Sequence, residues 1–244
     1  MENIRILKHI YLDKSFLFFL IIVILTGNFN QFLPFFLLLI IHEMGHAITG
    51  ITLGYHMDKI IIYPYGGITK FNLPLNILIK RELLILIMGP IFQIVGYLIL
   101  KNYFGNISIY HYSLLFFNLL PIYPLDGGRI LNAFLGIFNP YMKSFYFTFY
   151  LSIFFIFLLL GYNIYYFNLN LFLMTIILLV KLIKVYQKRY YYYNRFLLER
   201  YLNNYNFKKI RNINDIHSLY RDTMHFINFQ KEKDYLKKYF SIKK

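Results

Sequence analysis

Six apolar runs dominate this 244-residue chain, near Ser15–Gly27, Phe32–Leu53, Leu83–Leu100, Ser108–Leu131, Phe145–Gly161 and Leu169–Ile183. Crossing the hydrocarbon of a bilayer takes about 20 apolar residues as a helix. The runs approach that length, and only 15% of the chain is charged against 58% hydrophobic. A soluble domain carries about a quarter charged residues, and a chain of this size cannot build a core large enough to hide so much apolar surface. The expectation is an all-α polytopic membrane protein with six transmembrane helices. The first run is short and needs flanking residues or tilt. The fourth carries Pro121, Pro124, Gly127 and Gly128 near its end, so it is not a straight helix throughout.

The net charge of +15 has two readings, a nucleic-acid surface or cytoplasmic loops rich in Lys and Arg. Its distribution favours the second. Arg5, Lys8 and Lys14 precede the first run, and Lys59, Lys70, Lys80 and Arg81 fill the second loop. Arg129 and Lys143 mark the fourth loop, and the tail from Lys184 is dense in basic residues, with Lys101 the exception on the other side. Both termini are therefore expected in the cytoplasm, with the bilayer and no nucleic acid as partner. No small-residue cleavage site follows the first run, so it reads as a retained helix. The absence of cysteine excludes a disulfide framework and thiol chemistry.

Two regions depart from the apolar pattern. "KIIIYPYGGITKF" is a β-branched and aromatic run broken by Pro64 and by Gly66–Gly67, which predicts a small β-hairpin or loop at the membrane surface. Residues 1–190 form the expected six-span domain. Residues 191–244 form a short, basic, mostly helical cytosolic tail, whose Tyr, Lys and Arg suit an interface with anionic lipid.

Inside the second run stands "HEMGH". His42 and His46 are one helical turn apart on the same face, a spacing at which two imidazoles grip one metal ion, and Glu43 can act on a water held there. Ionisable groups in a spanning helix are costly and read as functional. A catalytic zinc takes three protein ligands. Two carboxylates are candidates for the third, Asp126 in "NLLPIYPLDGGRI" and Glu82 at the start of the third run. The second and fourth runs both travel towards the cytoplasm, and the trio and Asp126 both lie late in their runs, which favours Asp126.

"HEMGH" in one span and "NLLPIYPLDGG" in a later one resemble the two signatures of the site-2 proteases, the zinc intramembrane metalloproteases. "MGPIFQ" at 88–93 resembles that family's Gly-Pro element, where an asparagine often stands in place of Gln93. Six spans, no PDZ insertion and the "PLDGGR" form are most similar to the family's sporulation branch, which processes a membrane-associated pro-sigma factor. The resemblance implies Zn²⁺ held by His42, His46 and Asp126, with Glu43 as general base. It implies substrate placement by Asn118, Pro124 and the "YPYGG" loop with Gly66 and Gly67. It further implies a pro-sigma substrate, inhibitory membrane-protein partners and the mother-cell membrane around the forespore. The tail is too short for that branch's usual two-motif nucleotide-sensing domain and reads as a remnant of it. Two rivals stand beside this reading: a membrane zinc protease with Glu82 as third ligand, and a non-proteolytic metal transporter using the histidine pair as a transit site. His9, His56, His111, His217 and His225 read as interfacial or surface residues.

Overall fold

The structure is a computed structural model that describes residues 9–27, 29–63 and 66–242. Arg5 and Lys8 of the basic N-terminus and Pro64 of the expected hairpin lie outside the described residues. The chain divides into two compact units, Met1–Leu73 with Leu84–Leu119, and Pro74–Leu83 with Leu120–Lys244.

The first unit runs through β1 (Ile10–Leu12), α1 (Lys14–Leu25), α2 (Phe29–Thr52), β2 (Met57–Tyr63), β3 (Gly66–Phe71), most of α3 (Ile79–Leu100) and α4 (Ile107–Leu119). Asp13 caps α1, its carboxylate accepting the Ser15 N–H at 3.0 Å. The Ile-rich β2 buries Ile60 and Ile62 in alternation, as a strand with one packed face does. β1 joins β2 in parallel and β3 joins it antiparallel, so the expected hairpin is part of a three-stranded sheet with β3 at one edge. Phe16, Phe32, Leu38, Leu39, Ile60 and Leu114 are among the side chains of this unit's core.

The second unit holds the first turn of α3, then α5 (Asp126–Phe138), α6 (Tyr141–Tyr165), α7 (Leu169–Gln187), α8 (Arg189–Leu202), β4 (Lys209–Ile213), a 3-10 turn at Ile216–Ser218, β5 (Thr223–Ile227), β6 (Gln230–Lys231) and α9 (Glu232–Ile242). Asn168 caps α7 by accepting the Leu171 N–H at 3.1 Å. Its own N–H donates to Asn163 Oδ1 at 3.0 Å, which closes the turn between α6 and α7.

Four helices are long and apolar enough to cross a membrane: Phe32–Thr52 within α2, then α3, α6 and α7. Each coincides with an expected run. The other two runs differ. The first is a helix of 12 residues, and the fourth is split into α4 and α5 of 13 residues each. The split follows from Pro121 and Pro124, which bring no N–H to a helical ladder. Among the described residues the count of span-length helices is thus four, where the sequence predicts six.

The tail also corrects its expectation. It is a mixed fold, with β4 and β5 parallel and β6 antiparallel to β5. In β5, Thr223, His225 and Ile227 are buried while Met224 and Phe226 are not, the period-2 pattern of a strand. Ile213, Ile216, Leu219, Ile227 and Leu236 close over Tyr193, Phe196 and Leu197 of α8. The molecule is therefore mostly helical with two small sheets, not all-α.

Candidate active site

In the first unit, helix periodicity puts His42 and His46 on one face of α2, and both are buried, at 1% and 6% exposure. Their rings meet edge to face, with the two Nε2 atoms 3.2 Å apart. Each Nδ1 is held from the opposite side. The His46 Nδ1–H donates to the Ile85 carbonyl of α3 at 2.8 Å, and the His42 Nδ1 lies 3.0 Å from the Gln93 Oε1. A backbone carbonyl only accepts, so His46 carries its proton on Nδ1 and turns an Nε2 lone pair inward. The donor set fits zinc. Two imidazole nitrogens on one tetrahedral zinc, each about 2.0–2.1 Å from it, stand about 3.3 Å apart.

The approach of α3 that makes this possible needs small residues. A side chain at Gly89 would overlap the His46 imidazole. "MGPIFQ" thus contributes through Gly89 and Gln93 in this unit.

Glu43 is 5% exposed and faces β3. The Thr69 hydroxyl donates to Glu43 Oε2 at 2.6 Å, and a Cβ on Gly67 would overlap the Glu43 carboxylate. The sequence-predicted Gly67 therefore lies flush against the candidate base, while Gly66 opens the strand at φ +150°. Asn118 sits half-buried in the last turn of α4.

In the second unit, Asp126 is the first residue of α5, where the helix dipole favours a carboxylate. Pro124 follows a cis peptide bond from Tyr123. The turn before Asp126 is pinned by α6, whose Ser152 Oγ accepts the Tyr123 N–H at 2.9 Å. The rival carboxylate Glu82 is engaged by Arg221 at 2.6 Å.

Sequence reasoning did not reach Thr69 or the Ile85 carbonyl, and it gave Gln93 no role. Two histidines read as interfacial are buried instead. His111, 3% exposed, stacks on Tyr97 with ring centroids 4.2 Å apart. His225, 2% exposed, belongs to a tail cluster with Arg200 and Glu232. In that cluster Arg200 Nη2 donates to Glu232 Oε2 at 3.1 Å, and Arg200 Nε also bonds the same carboxylate. The His225 N–H and its Nδ1–H both donate to Glu232 Oε2 at 3.0 Å, and its Nε2 accepts the Tyr220 N–H at 3.1 Å.

The profile of peptidase family M50 matches residues 98–161. Stage IV sporulation protein FB of Bacillus subtilis is 30% identical over 190 residues, covering 73% of this chain and 66% of that protein. A zinc metalloprotease of Methanocaldococcus jannaschii is 33% identical over 155 residues, covering 55% of this chain and 45% of that one. The chain thus spans about two thirds of the first relative and under half of the second. The solved structure of the site-2 protease from Methanocaldococcus jannaschii matches with a TM-score of 0.57 at 24% identity, over 72% of this chain and 89% of that one, a likeness of fold.

Proposed function

Because the chain belongs to peptidase family M50, the site-2 proteases, we propose that it is a zinc-dependent intramembrane endopeptidase. Its substrate is a membrane-associated protein, cut near the cytoplasmic face. The observation that carries this reading is the pair of Nε2 atoms, 3.2 Å apart on α2, with the buried Glu43 next to His42 along the same helix.

His42, His46 and Asp126 are a His-His-Asp set of the kind that holds a metal ion, and they would be the zinc ligands. Zinc, when bound, supplies a Lewis acid and lowers the pKa of its water from about 15.7 to near 7. Glu43 takes a proton from the attacking water and passes it to the leaving amine. The Thr69 hydroxyl orients the Glu43 carboxylate for that transfer. A peptide bond locked in a helix is shielded from such a site, so the substrate presents an extended segment. The edge of β3 at Gly66 and Gly67 offers it backbone partners, with Asn118 and Pro124 placing it further. The engagement of Glu82 by Arg221 speaks against a glutamate as third ligand.

The finer reading is a six-span domain over residues 1–190, a cytosolic domain over 191–244 and both termini in the cytoplasm. The name of the relative from Bacillus subtilis supports a sporulation role; with that role we propose a pro-sigma factor as substrate, an inhibitory membrane partner and the mother-cell membrane as the place of action. Co-expression with candidate pro-sigma factors tests it. Wild type yields the shortened factor, and Glu43→Gln leaves it uncut although the protein accumulates and binds zinc. Normal cleavage by Glu43→Gln ends the proposal.

A further inference from the structure

The two histidines of "HEMGH" are held by different means. His46 is fixed by a main-chain carbonyl, that of Ile85, which no substitution at 85 removes. His42 is fixed by a side chain, Gln93, which is fully buried at 0% exposure. An amide can face either way, so what it does to His42 depends on what holds its far end.

That end is settled by a neighbour with one possible role. The Gln93 Nε2 donates to the His111 carbonyl of α4 at 3.0 Å. Its distance to the His111 Nδ1 is 3.4 Å, the weaker of the two contacts. A carbonyl only accepts, so the NH₂ of Gln93 faces α4 and Oε1 faces His42. Oε1 also only accepts, so His42 carries its proton on Nδ1 and offers Nε2 as lone pair. The His111 ring, stacked on Tyr97 in nearly parallel planes, steadies this stretch of α4, and the Tyr97 hydroxyl lies 3.0 Å from the Ser108 Oγ on the same helix.

We infer that Gln93 is a positioning residue: anchored on the His111 carbonyl, it fixes the tautomer and ring angle of His42 so that Nε2, beside the Nε2 of His46, binds the metal. The inference rests on the zinc reading of the site. Outer partners of a metal-bound histidine raise its basicity and hold its ring, and losing one costs about 10–100-fold in metal affinity.

The experiment uses the full-length protein in lipid nanodiscs, stripped of metal and titrated with Zn²⁺ against a chelator of known affinity. Gln93→Leu is expected to bind zinc about 10–100-fold more weakly than wild type. Gln93→Glu keeps an oxygen acceptor towards His42 and, when protonated, a hydroxyl donor towards the His111 carbonyl, and is expected within about threefold of wild type. His111→Phe keeps the carbonyl and the stack on Tyr97 and is expected within the same about threefold. Zinc binding by Gln93→Leu equal to wild type overturns the inference, as does a Gln93→Glu protein as weak as Gln93→Leu. Should Gln93→Leu fail to fold, nitrogen-15 spectra of histidine-labelled wild type decide. Protonated Nδ1 and zinc-bound Nε2 on His42 support the inference, and the reverse tautomer overturns it. Wild type that binds no zinc defeats the zinc reading itself, whereas tight zinc binding by both wild type and Gln93→Leu defeats only the role of Gln93.

Discussion

Two buried clusters in this molecule each hold a histidine and a glutamate, and they are wired in opposite ways. On α2, His42, Glu43 and His46 are 1%, 5% and 6% exposed. In the tail, Arg200, His225 and Glu232 are 5%, 2% and 6% exposed. The tail cluster carries its own cation: Arg200 donates twice to the Glu232 carboxylate, and His225 donates its Nδ1–H to the same group. The α2 cluster instead turns two imidazole nitrogens towards each other at 3.2 Å, the arrangement that a shared metal completes. A buried histidine and glutamate thus indicate neither catalysis nor structure by themselves. The direction of the lone pairs decides.

One substitution made at both sites tests the contrast most severely. Glu43→Gln removes a proton acceptor and is expected to lower cleavage by about 10²–10⁴-fold. Amide exchange in β5 and α9 should stay at its wild-type level. Glu232→Gln leaves the Arg200 guanidinium buried without its counter-charge and is expected to destabilise the tail by about 3–5 kcal/mol. It should read out as faster exchange of those amides in the full chain, with zinc content unchanged. Exchange that quickens in Glu43→Gln and not in Glu232→Gln would invert the comparison.

Acid should loosen the same cluster. Burial holds the His225 imidazole below its ordinary 6.5, and the Arg200 charge adds to this. Burial pushes Glu232 up, but the hydrogen bonds from His225 and Arg200 and the Arg200 charge together outweigh it and hold it below 4.5. For both groups the unfolded chain binds protons that the folded one refuses, so stability falls as pH falls. The loss begins below 6.5 with His225, whose protonation also costs the Tyr220 N–H its acceptor, and resumes below 4.5 with Glu232. Exchange rates of β5 amides at pH 7, 5.5 and 4 measure it. Rates that, after correction for intrinsic exchange, do not rise with acid would break this account.

The geometry of the α2 half is legible because its signal is local. A histidine, a glutamate and a histidine within one turn state their geometry in their spacing. Nothing in the spacing leads from Glu43 to Thr69 or from His42 to Gln93, because those partners arrive 26 and 51 residues later through the packing of β3 and α3. The strands of the tail are hidden in the sequence for a related reason. "KIRNI" and "TMHFI" are five-residue strands, too short for periodicity to tell from helix, and they pair in parallel across a 3-10 turn. The fourth apolar run was read correctly as interrupted, since Pro121 and Pro124 are local breakers, yet its two pieces of 13 residues are each too short for the expected span.

On the α2 side, a smaller effect is expected at Thr69. Thr69→Val keeps the shape of the side chain and removes the hydroxyl that donates to Glu43 Oε2 at 2.6 Å. A hydrogen bond to a charged group contributes about 1.5–3 kcal/mol, and substrate contacts offset part of that loss, so kcat should fall about tenfold. KM and zinc content should not change, and Thr69→Ser should recover the rate. A Thr69→Val enzyme with unchanged kcat would show that Glu43 needs no partner on β3.

The smallest effect lies in the tail, at the tip between β5 and β6. Asn228 and Phe229 take φ of 48° and 62° between the paired Ile227 and Gln230, the two-residue loop with both central residues left-handed. Asn suits the first position, and glycine is preferred at the second. Phe229 stands there instead, 98% exposed. Its ring gains almost nothing from burial, while its Cβ crowds the backbone in the left-handed region at a cost of about 1 kcal/mol. Phe229→Gly removes that strain but gives the unfolded chain more freedom, so the expected net gain is about 0.5 kcal/mol. Slower exchange of the Ile227 and Gln230 amides would register it. The gain should stay within the tail and leave zinc binding and cleavage untouched, because nothing in the loop bears on the direction of the His42 and His46 lone pairs. A loss of stability instead would mean that the phenylalanine ring makes a contact worth more than the strain it imposes.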